Sequence, residues 1–225
     1  MPRVKRGFVD GFVYHVINRG NGKNDVFLKQ KDFEAFIDII AEAKTQYDIK
    51  IYSYCLMPNH FHFLVAPQKA DDLSRWMQWL MTSHVRRYHK HYGTSGHVWQ
   101  GRFKSFIVQK DHHLITVARY IEANPARSGL VRKAIQWKWS SHVETTGQKP
   151  RAVADEVPVK LPENWQEYVD TPFTGMELQR MRRSVNRQAP FGSLTWQDTV
   201  CRELGLESTL RPRGRPMKDN NGGKK

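Results

Sequence analysis

A hairpin predicted around Pro58 constrains the fold more than any other feature of this sequence. Two segments rich in β-branched and aromatic residues, IKIYSYCLM at 49–57 and HFHFLVAP at 60–67, are separated only by Pro58 and Asn59. So short a connection between segments of this composition is typical of two antiparallel strands joined by a tight turn. The sequence therefore predicts that these strands are neighbours in one sheet.

Helical and strand-like patterns alternate on both sides of the hairpin. The segment GFVYHVIN at 11–18 has strand composition, and an amphipathic helical repeat follows it and extends to Tyr47. A second amphipathic helix follows the hairpin. Beyond it, VWQGRFKSFIVQ at 98–109 is predicted to be a strand, and Asp111 can cap a third helix that Pro125 should end. The order predicts a mixed α and β fold without internal repeats.

Composition and charge bound the class of protein. Hydrophobic residues make up 39% of the 225 residues, and two cysteines are too few for a disulfide framework. No apolar run approaches the roughly 18 residues of a membrane span, and the N-terminus lacks the apolar core of a signal peptide. We therefore expect a cytoplasmic, nucleoid-associated protein. Its 36 Lys and Arg against 22 Asp and Glu indicate a polyanionic partner such as nucleic acid, although charge alone leaves membranes and ribosomes open.

The composition of the sequence changes after about residue 150. A proline-rich stretch is followed by a predicted basic helix behind Thr174 and by a shorter helix within 193–206. We expect a catalytic domain at 1–149 and a basic C-terminal appendage at 150–225.

Two histidines near the start of the second hairpin strand are candidate metal ligands. Side chains alternate between the faces of a strand, so His60 and His62 share one face with Leu64 and can converge on one ion. With ten histidines in the chain, however, an H-x-H pair arises easily by chance. Such a pair more often packs or forms hydrogen bonds than binds a metal.

A second group of polar residues lies near the end of the predicted third helix. Tyr120 and Asn124 are four residues apart and therefore neighbours on one face, at the flank of the apolar stripe, while Glu122 points away from them. A tyrosine at such a flank suits a nucleophile and equally suits an ordinary half-buried tyrosine. Together with the histidine pair and the positive charge, this group indicates metal-assisted attack on a phosphodiester.

Several stretches in consistent order carry a family resemblance. YHVINRGN, YCLMPNHFHFLV, VWQGRFKS, ARYIEANPARSGLV and WKWSSH, within residues 14–142, resemble the HUH single-tyrosine transposases, most closely the REP-associated tyrosine transposases that act on repetitive extragenic palindromes. The resemblance implies an α+β fold with a ferredoxin-like antiparallel sheet backed by helices. It also implies Tyr120 as the nucleophile and a divalent ion, Mg²⁺ or Mn²⁺, held by His60, His62 and Asn124.

The same resemblance implies a substrate and a product. The substrate is single-stranded or hairpin DNA, and cleavage leaves a 5′-phosphotyrosine and a 3′-hydroxyl that another strand can use for rejoining. The protein would act as a monomer or a homodimer. Arg102 and Lys104 are either phosphate contacts or solvated strand residues.

A short basic motif lies close to the C-terminus. Its sequence PRGRP at 212–216 resembles the core of an AT-hook, in which Arg213 and Arg215 would enter the minor groove of AT-rich DNA. A flexible basic end has the same composition.

Two other functions are compatible with these features. One is a regulator that grips palindromes without cutting them, and the other is a metal-dependent phosphodiesterase that uses water as the nucleophile. A covalent protein–DNA adduct is expected only for the transposase.

Overall fold

The predicted hairpin is confirmed and forms the first half of a four-stranded sheet. The computed structural model describes residues 8–211. Its strands are β1 (Val13–Arg19), β2 (Ile49–Met57), β3 (His60–Pro67) and β4 (Lys104–Val108). They lie in the order β2-β3-β1-β4, and every neighbouring pair is antiparallel. The expected α+β class with an antiparallel sheet is therefore confirmed.

The helices follow the predicted order along the chain. They are α1 (Gln30–Gln46), α2 (Ala70–Tyr92), α3 (His112–Glu122), α4 (Asn124–Arg127), α5 (His142–Thr145), α6 (Trp165–Asp170), α7 (Gly175–Arg187) and α8 (Leu194–Leu204), with 3₁₀ turns at Asn21–Lys23, Ala134–Gln136 and Glu207–Thr209. Polar side chains cap three of the predicted helices: Asp111 caps α3, Thr174 caps α7 and Ser193 caps α8, each accepting a hydrogen bond from a backbone N–H in the first turn.

The helices cover both faces of the sheet. On one face α1 and α2 pack over Phe61, Phe63 and Val65, and these residues belong to the larger apolar cluster. On the other face α3 packs over Leu64 in a second cluster. The alternation predicted for β3 is confirmed, and it directs His62 toward the α3 face, where its ring contacts Tyr120.

The strand predicted at 98–109 is only partly confirmed, because just Lys104–Val108 is a regular strand. The residues before it form a loop that follows the end of β1, where the backbone N–H of Gln100 donates to the carbonyl of Arg19. Val98 and Trp99 are adjacent in sequence and yet both are buried in the same apolar cluster. A regular strand would direct them to opposite faces, so their burial excludes one here.

The third helix ends earlier than predicted. It stops at Glu122, and Asn124 begins the separate short helix α4 instead of lying on the last turn of α3. Pro125 explains the break, because it has no N–H to continue the hydrogen-bond ladder of α3, whereas proline is tolerated in the first turn of a new helix. The prediction that Tyr120 and Asn124 lie on one helix is therefore wrong, although the two remain close in space.

The segment beyond residue 149 packs against the sheet domain as far as the structure describes it. Trp165 and Met181 are buried in the cluster on the α3 face, and Cys201 is buried in the cluster on the α1 and α2 face. The backbone of Phe191 also bonds to that of Ile107 in β4. A separate appendage starting at 150 stays a prediction. Arg213 and Arg215 of the AT-hook-like motif lie outside the described residues.

None of the helices within residues 8–211 combines the length and apolar character that crossing a membrane requires.

Candidate active site

The two histidines of β3 lie side by side on the α3 face, with ring centroids 5.0 Å apart. His62 is buried and His60 is half-buried. Their Nδ1 atoms are both engaged: Nδ1 of His60 lies 2.6 Å from Oδ1 of Asn59, and Nδ1 of His62 lies 2.8 Å from Nε2 of His15 on β1. Neither Nε2 atom has a hydrogen-bond partner among the described residues. Both imidazoles can therefore offer Nε2 to a ligand.

The surroundings keep these imidazoles neutral. Burial, with smaller contributions from Arg19 and Arg127, lowers the pKa of His60 to about 4. Burial also holds the pKa of His62 well below its ordinary value, and the neighbouring His15 and His60 add to that effect. The pKa of His15 falls to about 3 through burial alone. Neutral imidazole is the form that binds metal ions, so this pair suits a cation at neutral pH.

Tyr120 reaches the histidine pair from α3. It is buried, and its ring meets that of His62 edge to face at 5.9 Å. Phe173 packs against it at 6.1 Å, and the guanidinium carbon of Arg127 lies 4.6 Å from its ring centroid. The hydroxyl forms no hydrogen bond within residues 8–211. The phenol is thus fixed by its ring while its oxygen remains available.

Asn124 is buried beside Tyr120 at the start of α4. Its Oδ1 accepts a hydrogen bond from Arg127, and its Nδ2 is buried without a partner among the described residues. Arg127 therefore connects the site, because it bonds to Asn124, stacks on Tyr120 and acts electrostatically on both His60 and His62. The four residues singled out in the sequence come together around it.

The donor set fits a divalent cation. Two neutral imidazole nitrogens and one amide oxygen are ligands that first-row divalent metals, Mn²⁺ among them, accept. Mg²⁺ accepts the oxygen more readily than the nitrogens. Oδ1 of Asn124 has two lone pairs, so it can accept from Arg127 and still face a cation. His60 donates to the amide oxygen of Asn59, and His62 shares a hydrogen bond with His15; these contacts orient the two rings, as second-sphere partners commonly do for metal-binding histidines.

A second group of potential ligands lies at the other end of α3. Asp111, His112 and His113 bring ligand atoms within 4.8 Å of one another. The carboxylate of Asp111 accepts from the backbone N–H of His113 at 2.8 Å and lies 2.7 Å from its Nδ1. Nε2 of His113 in turn lies 3.2 Å from a guanidinium nitrogen of Arg180. Helix capping accounts for this geometry.

A basic cleft adjoins the histidine pair. Arg19, Arg102 and Lys104 line a cavity of about 250 Å³ at the edge between β1 and β4. Arg102 and Lys104 are exposed, which is compatible both with phosphate contacts and with solvated residues. Arg19 lies directly opposite His60 in the register of β1 and β3, so the cleft leads to the histidine pair.

The segment beyond residue 149 braces the helix that carries Tyr120. Arg119 is buried, stacks on Phe173 at 4.0 Å, donates to the carbonyl of Thr171 at 2.7 Å and lies 3.4 Å from the carboxylate of Glu177. Since Phe173 also packs on Tyr120, the brace and the candidate nucleophile share a side chain.

A buried carboxylate, that of Glu122, fixes the same helix through further contacts. Glu122 accepts hydrogen bonds from the hydroxyl of Ser141 at 2.6 Å and the indole N–H of Trp165 at 2.8 Å, and it lies 2.7 Å from Nδ1 of His142. Neither Tyr120 nor Asn124 is among these partners.

Sequence reasoning missed several residues of the site. Arg127, His15, Arg19 and Asn59 all fall within stretches that carry the family resemblance, and that position was the signal available for them. His15 and Arg19 meet β3 only through the pairing of distant strands, which the sequence alone does not reveal, whereas Asn59 and Arg127 contact residues close to them in the chain.

Comparisons with known proteins identify the family and the fold. A protein of Haemophilus influenzae named as a REP-associated tyrosine transposase is 27% identical over 159 residues, which cover 63% of this chain and 85% of that protein. A solved REP-associated tyrosine transposase bound to a REP hairpin shares the fold, with a TM-score of 0.55 and 19% identity over 71% of this chain and 95% of the other. The family model described as "Transposase IS200 like" matches residues 8–124. Because that match spans more than half of the 225 residues and reaches both Tyr120 and Asn124, the protein belongs to the IS200-like transposase family.

Proposed function

We propose that this protein is a sequence-specific endonuclease and strand transferase that acts on single-stranded or hairpin DNA at repetitive extragenic palindromes. One observation carries the proposal: a tyrosine with an unengaged hydroxyl stands edge to face with one of two neutral histidines whose Nε2 atoms are available. This arrangement supplies a nucleophile and a cation site on the same face of one sheet.

His60, His62 and Asn124 would hold the divalent cation, Mg²⁺ or Mn²⁺. When bound, such an ion withdraws charge from a phosphodiester and stabilises the charge that develops as the phosphate is attacked. The three ligands carry no negative charge, and the guanidiniums of Arg19 and Arg127 act electrostatically on both histidines. The site therefore keeps the positive potential that an anionic substrate needs.

Tyr120 would perform the substitution. Its oxygen forms a bond to the phosphorus while the bond from phosphorus to the 3′-oxygen breaks, and the proton lost by the phenol is balanced by the proton gained at the 3′-oxygen. The products are a 5′-phosphotyrosine and a 3′-hydroxyl. Attack by another 3′-hydroxyl reverses these changes and rejoins strands.

The basic cleft would guide the DNA backbone to this centre. Arg102 and Lys104 are exposed on the cleft, and Arg19 lies between them and His60. Contacts of this kind fix the register of the nucleic acid without reading its sequence. The solved relative named above carries a bound REP hairpin, which supports hairpin DNA as the substrate class here.

A covalent-adduct assay tests the proposal. Labelled hairpin oligonucleotides with single-stranded flanks, drawn from repeated palindromes of the source genome, are incubated with the protein and Mg²⁺ or Mn²⁺ and separated under denaturing conditions. We expect label to migrate with the protein. Cleavage without an adduct would instead indicate a phosphodiesterase that uses water, and binding without either product would indicate a regulator.

A further inference from the structure

We propose that Arg127 binds the non-bridging oxygens of the scissile phosphate and holds that phosphate beside the hydroxyl of Tyr120. This inference rests on the proposed function, because it assigns one more residue to the same reaction. The ligand is a phosphodiester of DNA and, after cleavage, the phosphotyrosine.

The position of Arg127 is the first support. Its guanidinium carbon lies 4.6 Å from the centroid of the Tyr120 ring, and one terminal nitrogen donates to Oδ1 of Asn124. The backbone of α4 sets this position, since the N–H of Arg127 donates to the carbonyl of Ala123 at 2.9 Å. The positive charge therefore stands against the candidate nucleophile and a candidate metal ligand at once.

The unused donors of Arg127 are the second support. A guanidinium carries five N–H donors in a planar fork that matches two oxygens of a phosphate. Within residues 8–211 this side chain makes one hydrogen bond, to Asn124, and no ion pair with a carboxylate. The residue is exposed, so its remaining donors can reach a ligand from solution.

Arg119, a neighbouring arginine with a structural role, provides a comparison for Arg127. Arg119 also stacks on aromatic rings, at 4.0 Å from Phe173 and 4.5 Å from Tyr168, but it is buried. Its fork donates to the carbonyl of Thr171 and pairs with the carboxylate of Glu177. Arg127 has the same stacking without the anionic partner, and a phosphate would supply that partner.

The electrostatics of the site point in the same direction. Arg127 lies against Tyr120 and Asn124, and Arg19 lies opposite His60 in the register of β1 and β3, so both bring positive charge to the site. Two permanent charges of one sign therefore face a partly buried site. A bound phosphate would relieve this repulsion, and a guanidinium held in place before the reaction stabilises developing phosphoryl charge without reorganisation.

In the reaction the guanidinium stays protonated throughout. Bonds form and break only between phosphorus and the two oxygens, that of Tyr120 and the 3′-oxygen, while Arg127 holds the non-bridging oxygens. The contribution of Arg127 to the rate should therefore depend on the negative charge of the scissile phosphate.

The test compares variants on a charged and a neutral scissile group. The substrate is the hairpin oligonucleotide that the wild-type protein cleaves fastest, made with a phosphodiester or with a methylphosphonate at the scissile position. The variants are Arg127→Gln and Arg127→Lys. Arg132→Gln is the matched control, because it removes the same charge from an exposed arginine five residues further along.

On the phosphodiester we expect Arg127→Gln to slow single-turnover adduct formation about 100-fold, the effect of removing one preorganised donor. Arg127→Lys should recover only part of the rate, because an ammonium lacks the bidentate fork. Arg132→Gln should behave as wild type. On the methylphosphonate the Arg127 variants and wild type should react at equal rates.

Equal losses on both substrates would overturn the inference and leave Arg127 as a packing partner of Tyr120. An unchanged rate for Arg127→Gln on the phosphodiester would overturn it as well. If Arg127→Gln fails to fold, shown by loss of the thermal transition and of hairpin binding, the two rates of Arg127→Lys decide the question. A wild-type protein that forms no adduct would instead overturn the proposed function itself.

Discussion

The two faces of β3 differ in what they bury. Toward α1 and α2 the strand presents Phe61, Phe63 and Val65, which pack in a large apolar cluster. Toward α3 it presents Leu64 and His62, and the ring of His62 meets another histidine and a tyrosine. Burying a polar ring stabilises a protein less than burying an apolar one. We therefore expect the face of β3 toward α3 to contribute less to stability than the face toward α1 and α2. The comparison shows that one strand builds the core and the candidate site at once.

Removing the hydroxyl of Tyr120 should have the largest effect on function. Tyr120→Phe keeps the ring that packs against His62 and Phe173 and removes only the attacking oxygen. We expect normal folding and hairpin binding together with complete loss of cleavage and of the adduct. Cleavage retained by this variant, measured on a labelled hairpin, would refute the assignment of the nucleophile.

Removing either histidine should abolish the metal site. His60→Ala or His62→Ala takes away one of two imidazole ligands, so we expect Mn²⁺ binding measured by titration calorimetry to be lost together with cleavage. EDTA should inactivate the wild-type protein until Mg²⁺ or Mn²⁺ is restored. His112→Ala is the control, because that exposed histidine belongs to the separate group of potential ligands at the other end of α3. Cleavage that survives replacement of both β3 histidines would contradict the site.

A substitution on the face of β3 toward α1 and α2 should lower stability and leave the chemistry intact. Phe63 is fully buried against Trp76. We expect Phe63→Ala to lower the free energy of unfolding by about 3–5 kcal/mol in denaturant titrations, through lost burial and the cavity left behind. The rate of cleavage per folded molecule should stay close to that of wild type. A large fall in the cleavage rate at unchanged stability would show that the face toward α1 and α2 also takes part in the chemistry.

The histidine face should also make stability depend on pH. In the folded protein burial lowers the pKa of His60 to about 4 and holds that of His62 well below its ordinary value, which is about 6.5 in an unfolded chain. Between these values the unfolded chain binds more protons, so the free energy of unfolding should fall as pH decreases from about 6.5 toward 4. Urea titrations across this range measure the slope, and His60→Gln should flatten it. If stability depends on pH equally in His60→Gln and in the wild-type protein, His60 does not cause this pH dependence.

The C-terminal arginines should have the smallest effect. If Arg213 and Arg215 enter a minor groove, replacing both with alanine should weaken binding to hairpin stems with AT-rich flanks more than to GC-rich ones, and it should reduce the salt dependence of binding. Cleavage of saturating substrate should persist. Equal affinities of the variant and wild type for both flanks, measured by anisotropy, would remove the DNA-binding role from this motif.

Local patterns predicted much of the fold because their physical causes are local. The hairpin follows from strand composition around Pro58 and Asn59, and the start of α3 follows from the short side chain of Asp111. The errors arose where packing overrides composition. Val98 and Trp99 have strand-like side chains, yet both are buried in one cluster, and this burial prevents a regular strand.

By itself the sequence determined which residues share a face, because side chains alternate along any strand. It therefore placed His60 beside His62, and the resemblance added Tyr120 and Asn124 to the candidate site. Only the tertiary structure decided what surrounds them. His15 meets His62 because β1 pairs with β3 in one register, and Arg127 lies on Tyr120 because Pro125 breaks the helix between them. The contact between His15 and His62 joins residues 47 positions apart, which no local pattern encodes. The contact between Arg127 and Tyr120 is close in the chain, but it depends on the direction that α4 takes after the break, which only the packed structure decides.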